Sequence, residues 1–382
     1  MNFKFLFFTL PFLAMTACSS DDDVSENHGS QQQGKGVPIS IEVSEEPLND
    51  PSGVGTRASI TFKESLSSFY MHYITTLPKT HTGVVPFSKT DLDHTWINSG
   101  ANWPSDAEGF NELTTPVYFY AFANVDYEGH DFTGYNYNEL DVNDSDNFDP
   151  NEQSLNFEID ELSSKQMDLL VAKQVSTMLS TQGQTVANTV SFSFQHACAA
   201  LQFSICKTQA LENINIILKK VVLHNVKKRG TYFFESGEWT VYNSEGTNNP
   251  YLDLTLAEYD DNSIKSVPYE NAVESNHILL ASNEDDFLFV IPQTLNGWTG
   301  TETETIEENN LKSDPEAYIE IQCKMWQGAT RIDEYINQEE YGSIYLPFNV
   351  EWQKGFIYRY NIRMGTNLRY SDGSKISISN NS

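Results

Sequence analysis

The chain has 382 residues, enough for two domains of ordinary size, and 39% of them are hydrophobic, enough to fill a core. Acidic residues outnumber basic ones 53 to 23, a formal charge of −30, and a field of that sign excludes nucleic acid and anionic membrane surfaces as partners. Aromatic residues reach 13%, with 19 Tyr and 23 Phe, a bias toward strands rather than helices.

The chain opens with MNFKFLFFTLPFLAMT, where Lys4 precedes the apolar run Phe5–Met15. A run this short falls below the roughly 20 residues a membrane-spanning helix needs, but it suits a secretory signal, so residues 1–17 are read as a signal peptide. Small residues lead into Cys18, and Ser19-Ser20-Asp21-Asp22-Asp23 follow. A thiol directly after a signal core is placed to take a diacylglycerol once the peptide is cut before it. The stretch resembles a bacterial lipoprotein lipobox, and its acidic run resembles the surface-export signal of Bacteroidetes lipoproteins. That resemblance implies lipidation at Cys18 and a tether to the outer membrane, facing outward.

Residues 19–36 are polar and low in complexity, the composition of a flexible spacer. Val37, Ile39, Ile41 and Val43 then alternate with polar residues, which predicts a half-buried strand, with Pro38 suiting its start or an edge. Residues 45–56 (EEPLNDPSGVGT) predict a loop. The acidic pair Glu45-Glu46 borders it and is expected to be solvated. Arg57 and Ala58 come next, and Ile60–Phe62 predicts another strand.

Strands dominate from there. Val117–Ala123 (VYFYAFA) is apolar on both faces, as a covered central strand is. Leu155–Ile159 alternates, Asp168–Lys173 is short and apolar, and Val190–Phe194 and Leu201–Ile205 flank the compact HACAA of His196–Ala200. Ile214–Val222 and Phe287–Ile291 extend the series. Late in the chain Ile319, Ile321, Cys323 and Met325 share one face, as do Phe356, Tyr358, Tyr360, Ile362 and Met364. Short strands, Gly/Asn/Asp-rich turns and no long amphipathic helix predict an all-β sandwich architecture. The polar stretch Ser180–Asn188 divides it, giving an N-terminal sandwich over 58–185 and a C-terminal one over 186–382.

With Cys18 assigned to lipid, Cys198, Cys206 and Cys323 remain. Eight residues of extended chain separate the first two by about 26 Å, beyond disulfide reach unless the chain folds back, so buried free thiols are expected. Asp141–Glu152 (DVNDSDNFDPNE) superficially matches a calcium loop, but Asp146 stands where the pattern calls for Gly, and a solvated acidic loop is the better reading. No GxSxG, HExxH, Walker loop or dinucleotide fingerprint is present, so neither an enzyme nor a cofactor or metal is expected. His196 and His224 sit beside strands as structural histidines, and the six Trp residues read as packing.

Arg57 is the most suggestive single residue. It is the only arginine before Arg229 and lies between a predicted loop and a strand, open to a protease. One cut after it would release the anchor together with the strand Val37–Val43, leaving unpaired backbone groups and an apolar groove. The plainer alternative is a surface arginine without a special role.

Several segments together resemble the Bacteroidetes fimbrillin family of type V pilins and their relatives. They are Gly55-Thr-Arg57-Ala58 with Ile60 and Phe62, Trp103-Pro104 ahead of VYFYAFA, DLLVAK, and Phe192–Ala197 through Leu201–Phe203. Gly237 with Trp239, Ile291-Pro-Gln293 and Trp352–Tyr360 complete the series. The resemblance implies two tandem transthyretin-like β-sandwich domains and export as a lipoprotein precursor. It implies that residues 18–57 form a propeptide with Val37–Val43 as a plug strand, that cleavage falls between Arg57 and Ala58, and that polymerisation proceeds by strand exchange with other fimbrial subunits. The polar tail after Met364 lacks a clear last strand, Ile376-Ser-Ile378 being the nearest candidate. A non-polymerising lipoprotein that stays anchored and binds a host protein or glycan is the alternative.

Overall fold

The computed structural model describes residues 39–50, 66–75, 83–89, 96–98, 116–124, 153–160, 166–177, 179–181, 184–186, 189–242, 249–260, 263, 265–270, 277–280, 287–300, 304–332, 340–365 and 368–371. Almost every element is a strand. In chain order they are β1 (Ile41–Glu45), β2 (Ser68–Thr75), β3 (Gly83–Lys89), β4 (Trp96–Asn98), β5 (Pro116–Ala123), β6 (Ser154–Glu158), β7 (Leu170–Thr177), β8 (Leu179–Thr181), β9 (Gln184–Val186), β10 (Val190–His196), β11 (Ala199–Lys207) and β12 (Ile214–Lys227). There follow β13 (Arg229–Phe233), β14 (Trp239–Val241), β15 (Tyr251–Glu258), β16 (Lys265–Ser266), β17 (Ile278–Leu279), β18 (Leu288–Val290), β19 (Thr294–Leu295), β20 (Tyr318–Gln327), β21 (Thr330–Arg331), β22 (Gly342–Pro347), β23 (Val350–Glu351) and β24 (Ile357–Met364). The short helix α1 (Ile306–Asn310) is closed by a capping box between Thr305 and Glu308.

A seven-stranded sheet runs β1-β10-β7-β5-β2-β3-β4, which puts β5 in the middle and β1 on an edge. The burial of VYFYAFA on both faces has a direct cause. Val117, Phe119, Ala121 and Ala123 enter a cluster with Phe69, Met71, Phe87, Phe192 and Phe194. The intervening Tyr120 and Phe122 enter a second cluster with Leu155, Tyr232, Phe234 and Phe289. A strand with core on both sides gains nothing from polar alternation. β10 contributes to the first cluster alone, and its burial alternates strictly from Val190 to His196.

The largest cluster lies further along the chain. β12 pairs with β15 and β20, and β20 with β22, while β11 pairs with β17, β18 and β24. Leu201, Phe203 and Ile205 of β11 pack with Ile216, Leu218 and Val221 of β12, and with Ile319, Ile321, Cys323 and Met325 of β20. The face expected on β20 is thus buried as a unit. On β24 the outcome is divided: Ile362 and Met364 enter this cluster with Tyr358 and Tyr360 packed against it, but Ile357 is buried in the second one. Cys198, Cys206 and Cys323 are free thiols in buried residues.

The predicted all-β class is therefore the class observed. Strand bounds shift at several places, Ile214–Val222 extending to Lys227 and Leu201–Ile205 widening to Ala199–Lys207. The strand expected over Val37–Val43 is assigned to Ile41–Glu45, and the short DLLVAK becomes an eight-residue strand reaching Thr177. Pairing with β5 over the whole of Pro116–Ala123 extends it past its apolar part.

One charged cluster crosses the polar face of β12, β15 and β20. His224 Nδ1 lies 3.0 Å from Asp253 and its Nε2 lies 3.0 Å from Glu320, with the ring stacked on Tyr318. Burial alone would lower the His224 pKa, but hydrogen bonds to the two carboxylates outweigh it and raise the value to about 9. Glu320 is drawn down to about 2 by His224 and Ser343 against the opposing effect of its burial. A histidine whose folded pKa exceeds its unfolded one contributes stability below pH 6.5 and loses it as pH rises through about 9. The unfolding free energy should therefore fall by about 3 kcal/mol across that window. Chemical denaturation of His224→Gln at several pH values should show a lower, flatter profile there.

Candidate functional site

Of the residues singled out from the sequence, Cys18, Val37, Arg57 and Ala58 lie outside the described residues, as do the acidic loop 141–152 and Ile376–Ile378. Ile39, Ile41 and Val43 are described, and they belong to one continuous segment, residues 39–50, whose strand is Ile41–Glu45.

The first half of this segment is built by alternation. β1 lies parallel to β10, with Ile41 opposite Val190, Val43 opposite Phe192 and Glu45 opposite Phe194. Ile39 is buried, and Ile41 and Val43 pack against the same cluster as Phe192 and Phe194. The alternate residues face outward, where Glu42 accepts a hydrogen bond from Ser191, and Glu46 accepts from Ser193 and Gln195. The backbone ladder is flanked by Val190 N donating to Ser40 O at 2.8 Å and Glu46 N donating to Phe194 O at 2.8 Å. Covering an edge in this way satisfies donors and acceptors that would otherwise offer themselves to another strand.

The second half, residues 46–50, is loop as expected, with one isolated bridge from Asn49 to Phe356. Pro47, which has no N–H to satisfy, carries the chain off β10. Leu48 then buries itself among Tyr120, Phe122, Phe287 and Ile357. Asn49 N donates to Gly355 O at 2.7 Å, and Ile357 N donates to Asn49 O at 2.9 Å. Asp50 pairs with Arg359 at 2.5 Å. A single segment thus pairs with β10 through its strand and then bonds through its loop to the entry of β24.

Between the two halves sits a buried polar pair. In β10 the inward positions run Val190, Phe192, Phe194, His196, so the last apolar slot holds an imidazole. Asp168, in the residues leading into β7, hydrogen-bonds His196 Nδ1, and Glu45 at the end of β1 lies 3.8 Å from its Nε2. Glu45 is exposed as a residue, as expected, while its side chain, 28% exposed, is turned toward the imidazole. Burial lowers the His196 pKa, but Asp168 and Glu45 outweigh it and the net shift is upward, toward the charged form. Burial also raises Glu45 above the ordinary carboxylate range.

The turn residues of the HACAA segment complete the site. Gly355, at φ +72°, donates its N–H to Cys198 O at 2.8 Å while its carbonyl takes Asn49. A β-carbon is disfavoured at that φ, which gives the Gly of WQKGF a conformational reason. Trp239 Nε1 donates to Ala197 O at 2.8 Å, and Gly237, at φ +68°, makes the turn that brings Trp239 back. The sequence reading missed Leu48, Asn49, Asp50 and Arg359. Leu48 as a lone apolar residue in a polar stretch was the available signal, and His196 in an apolar register was the signal for a buried carboxylate partner.

These contacts differ in weight. Leu48 is 7% exposed and makes the segment's deepest contact beyond β1. Leu48→Ala should lower the unfolding free energy by about 2–3 kcal/mol. The Asp50–Arg359 side chains keep 18% and 31% exposure, so Asp50→Ala should cost under about 1 kcal/mol. Denaturant titration of both variants checks the order; a larger loss from Asp50 would contradict it.

Comparison with known proteins adds the family. Residues 99–378 match the profile of the fimbrillin-like family. No curated protein sequence matches the chain significantly. Among solved structures, a candidate cell adhesion protein of Parabacteroides distasonis shows 12% identity and a TM-score of 0.44, covering 88% of this chain and 90% of its own. One of Bacteroides eggerthii shows 12% identity and a TM-score of 0.43, with 90% and 91% covered. A fimbrial assembly protein of Parabacteroides distasonis shows 10% identity and a TM-score of 0.35, with 81% and 89% covered. Overlays this loose say nothing about what the chain binds. The profile match spans most of the sequence, and on it the chain belongs to the fimbrillin-like family.

Proposed function

We propose that this protein is a structural, non-enzymatic subunit of cell-surface fimbriae, exported as a lipoprotein precursor and activated by proteolysis. In this reading residues 1–17 are removed, Cys18 carries lipid, and residues 18–57 form a propeptide. The observation that carries it is the edge position of β1. Among the described residues β1 is bonded to one neighbour, and a strand at the edge of a sheet can leave without dismantling the sheet it covers. Ile39, Ile41, Val43 and Leu48 would leave with it and expose an apolar groove along β10 and beside β24. Each large apolar side chain fully buried there is worth about 1.5–3 kcal/mol, so a strand from another subunit has a strong reason to refill it.

The division into two transthyretin-like sandwiches belongs to the same reading. The separate clusters around Phe119 and around Ile321 support it. β10 lies past the expected boundary at residue 185 yet pairs with β7 of the first sheet, so in this reading the boundary moves to Ala197-Cys198. The family membership supports a place among other fimbrial subunits at the cell surface.

Treating the purified precursor with an arginine-specific protease should yield a stable fragment beginning at Ala58, and that fragment should form higher oligomers on size-exclusion chromatography. Arg57→Ala should fold normally, resist that cut and stay monomeric. Cleavage without oligomer formation would sink strand exchange, and polymers from Arg57→Ala would sink processing at that site. Cys18→Ala should move the protein from the detergent phase to the aqueous phase on detergent partitioning; unchanged partitioning would contradict lipidation there.

A further inference from the structure

The residues that hold segment 39–50 are not all apolar, and two of them are charged groups fixed from beneath by residues outside the segment. His196 is held by Asp168, on the residues leading into β7. Arg359 on β24 donates from Nε to Gln202 Oε1 at 3.2 Å and lies 5.8 Å from the centre of the Phe287 ring. Both anchors stay when the segment leaves. What leaves is the carboxyl group facing each basic side chain: Glu45 at 3.8 Å from His196, and Asp50 at 2.5 Å from Arg359.

An emptied groove therefore presents an apolar floor followed by two preoriented basic groups at a fixed spacing. We infer that the strand which refills it comes from a different protein chain and carries alternating apolar residues, then carboxylates two and seven places after the last of them, read by His196 and Arg359. This inference rests on the strand-exchange reading above and adds the chemistry of the partner.

Three observations narrow the choice to those positions. Glu42 and Glu46 of the present occupant meet Ser191, Ser193 and Gln195 in exposed contacts, which accept many polar side chains and so discriminate little. His196 is buried and Arg359 is two-thirds covered, so a strand with neutral side chains opposite them would take one carboxylate from beside each basic group, His196 keeping Asp168 and Arg359 keeping Gln202. This chain's own candidate donor does not fit. With Ile376 and Ile378 in the places of Ile41 and Val43, Asn380 falls in the place of Glu45, so the first carboxylate is missing. A copy of this chain is for that reason the weaker occupant.

The test uses the full chain cut after Arg57 and freed of residues 1–57, with fluorescein-labelled peptides followed by polarisation. The peptide Ile39–Asp50 should bind. Its Asp50→Asn form should bind about fivefold more weakly, and the form carrying both Glu45→Gln and Asp50→Asn at least about tenfold more weakly. Protein with Arg359→Gln should bind the native and the Asp50→Asn peptides alike, and Arg359→Glu protein should prefer an Asp50→Lys peptide. The peptide Ser374–Ser382 should bind less well than Ile39–Asp50. Equal binding of the native and doubly neutralised peptides overturns the inference while leaving strand exchange standing. A tail peptide that binds as tightly as the native one overturns the assignment to a different chain. Failure of every peptide, the native one included, overturns strand exchange itself and the inference with it.

Discussion

The edge of β10 is the constraint on which the rest of this molecule turns. β10 pairs with β7 at Gln195 and His196, and along Val190–Phe194 its free N–H and C=O groups need either water or a strand. Water is a poor solution, because the same strand aims Val190, Phe192 and Phe194 into a core that would be opened beside it. β1 solves both problems together, supplying backbone partners through Ile41–Glu45 and apolar cover through Ile39, Ile41 and Val43. It is paired parallel to a strand about 150 residues further along the sequence, so nothing in the local chain holds it there. A cover held by non-covalent pairing and packing to a distant strand is one that another strand can replace.

The segment does more than cap an edge. Past Pro47 it buries Leu48 among side chains from β5 and β24 and bonds through Asn49 to the turn at Gly355. The His196–Asp168 pair marks the point where it crosses, and the HACAA turns that follow β10 lie beside that point. On the proposed reading this explains why one propeptide segment both stabilises the precursor and keeps it from assembling. The groove it fills includes an apolar stretch and a charged stretch. Apolar burial supplies most of the affinity, while the charged contacts, worth less each, decide which strand is accepted.

Much of the fold was legible in the sequence, and the residues that were not share a reason. VYFYAFA announced a doubly buried strand because no polar residue interrupts it, and Ile319–Met325 announced a one-sided strand because Glu320, Gln322 and Lys324 do. Period and composition report how a residue meets solvent, and for these strands solvent contact decides the structure. Pro, Asn and Asp favour turns, and residues 46–50 are loop, but a loop anchored by the bridge of Asn49 to Phe356. Their bonds go through backbone atoms of Asn49, which any residue would supply. The partners of the site are equally silent. Asp168 lies 28 residues from His196, and Asp50 lies 309 from Arg359. Local pattern carries no record of such pairs, although a histidine in an apolar register tells that some carboxylate must be near.

Amide hydrogen exchange across β10 tests most directly whether segment 39–50 is the cover of this edge. The measurement compares the intact chain with the chain cut after Arg57 and freed of residues 1–57. Protection should fall at the β10 amides and at Ile357, while β12 and β20 keep theirs. Unchanged protection along β10 after loss of the segment would contradict the account.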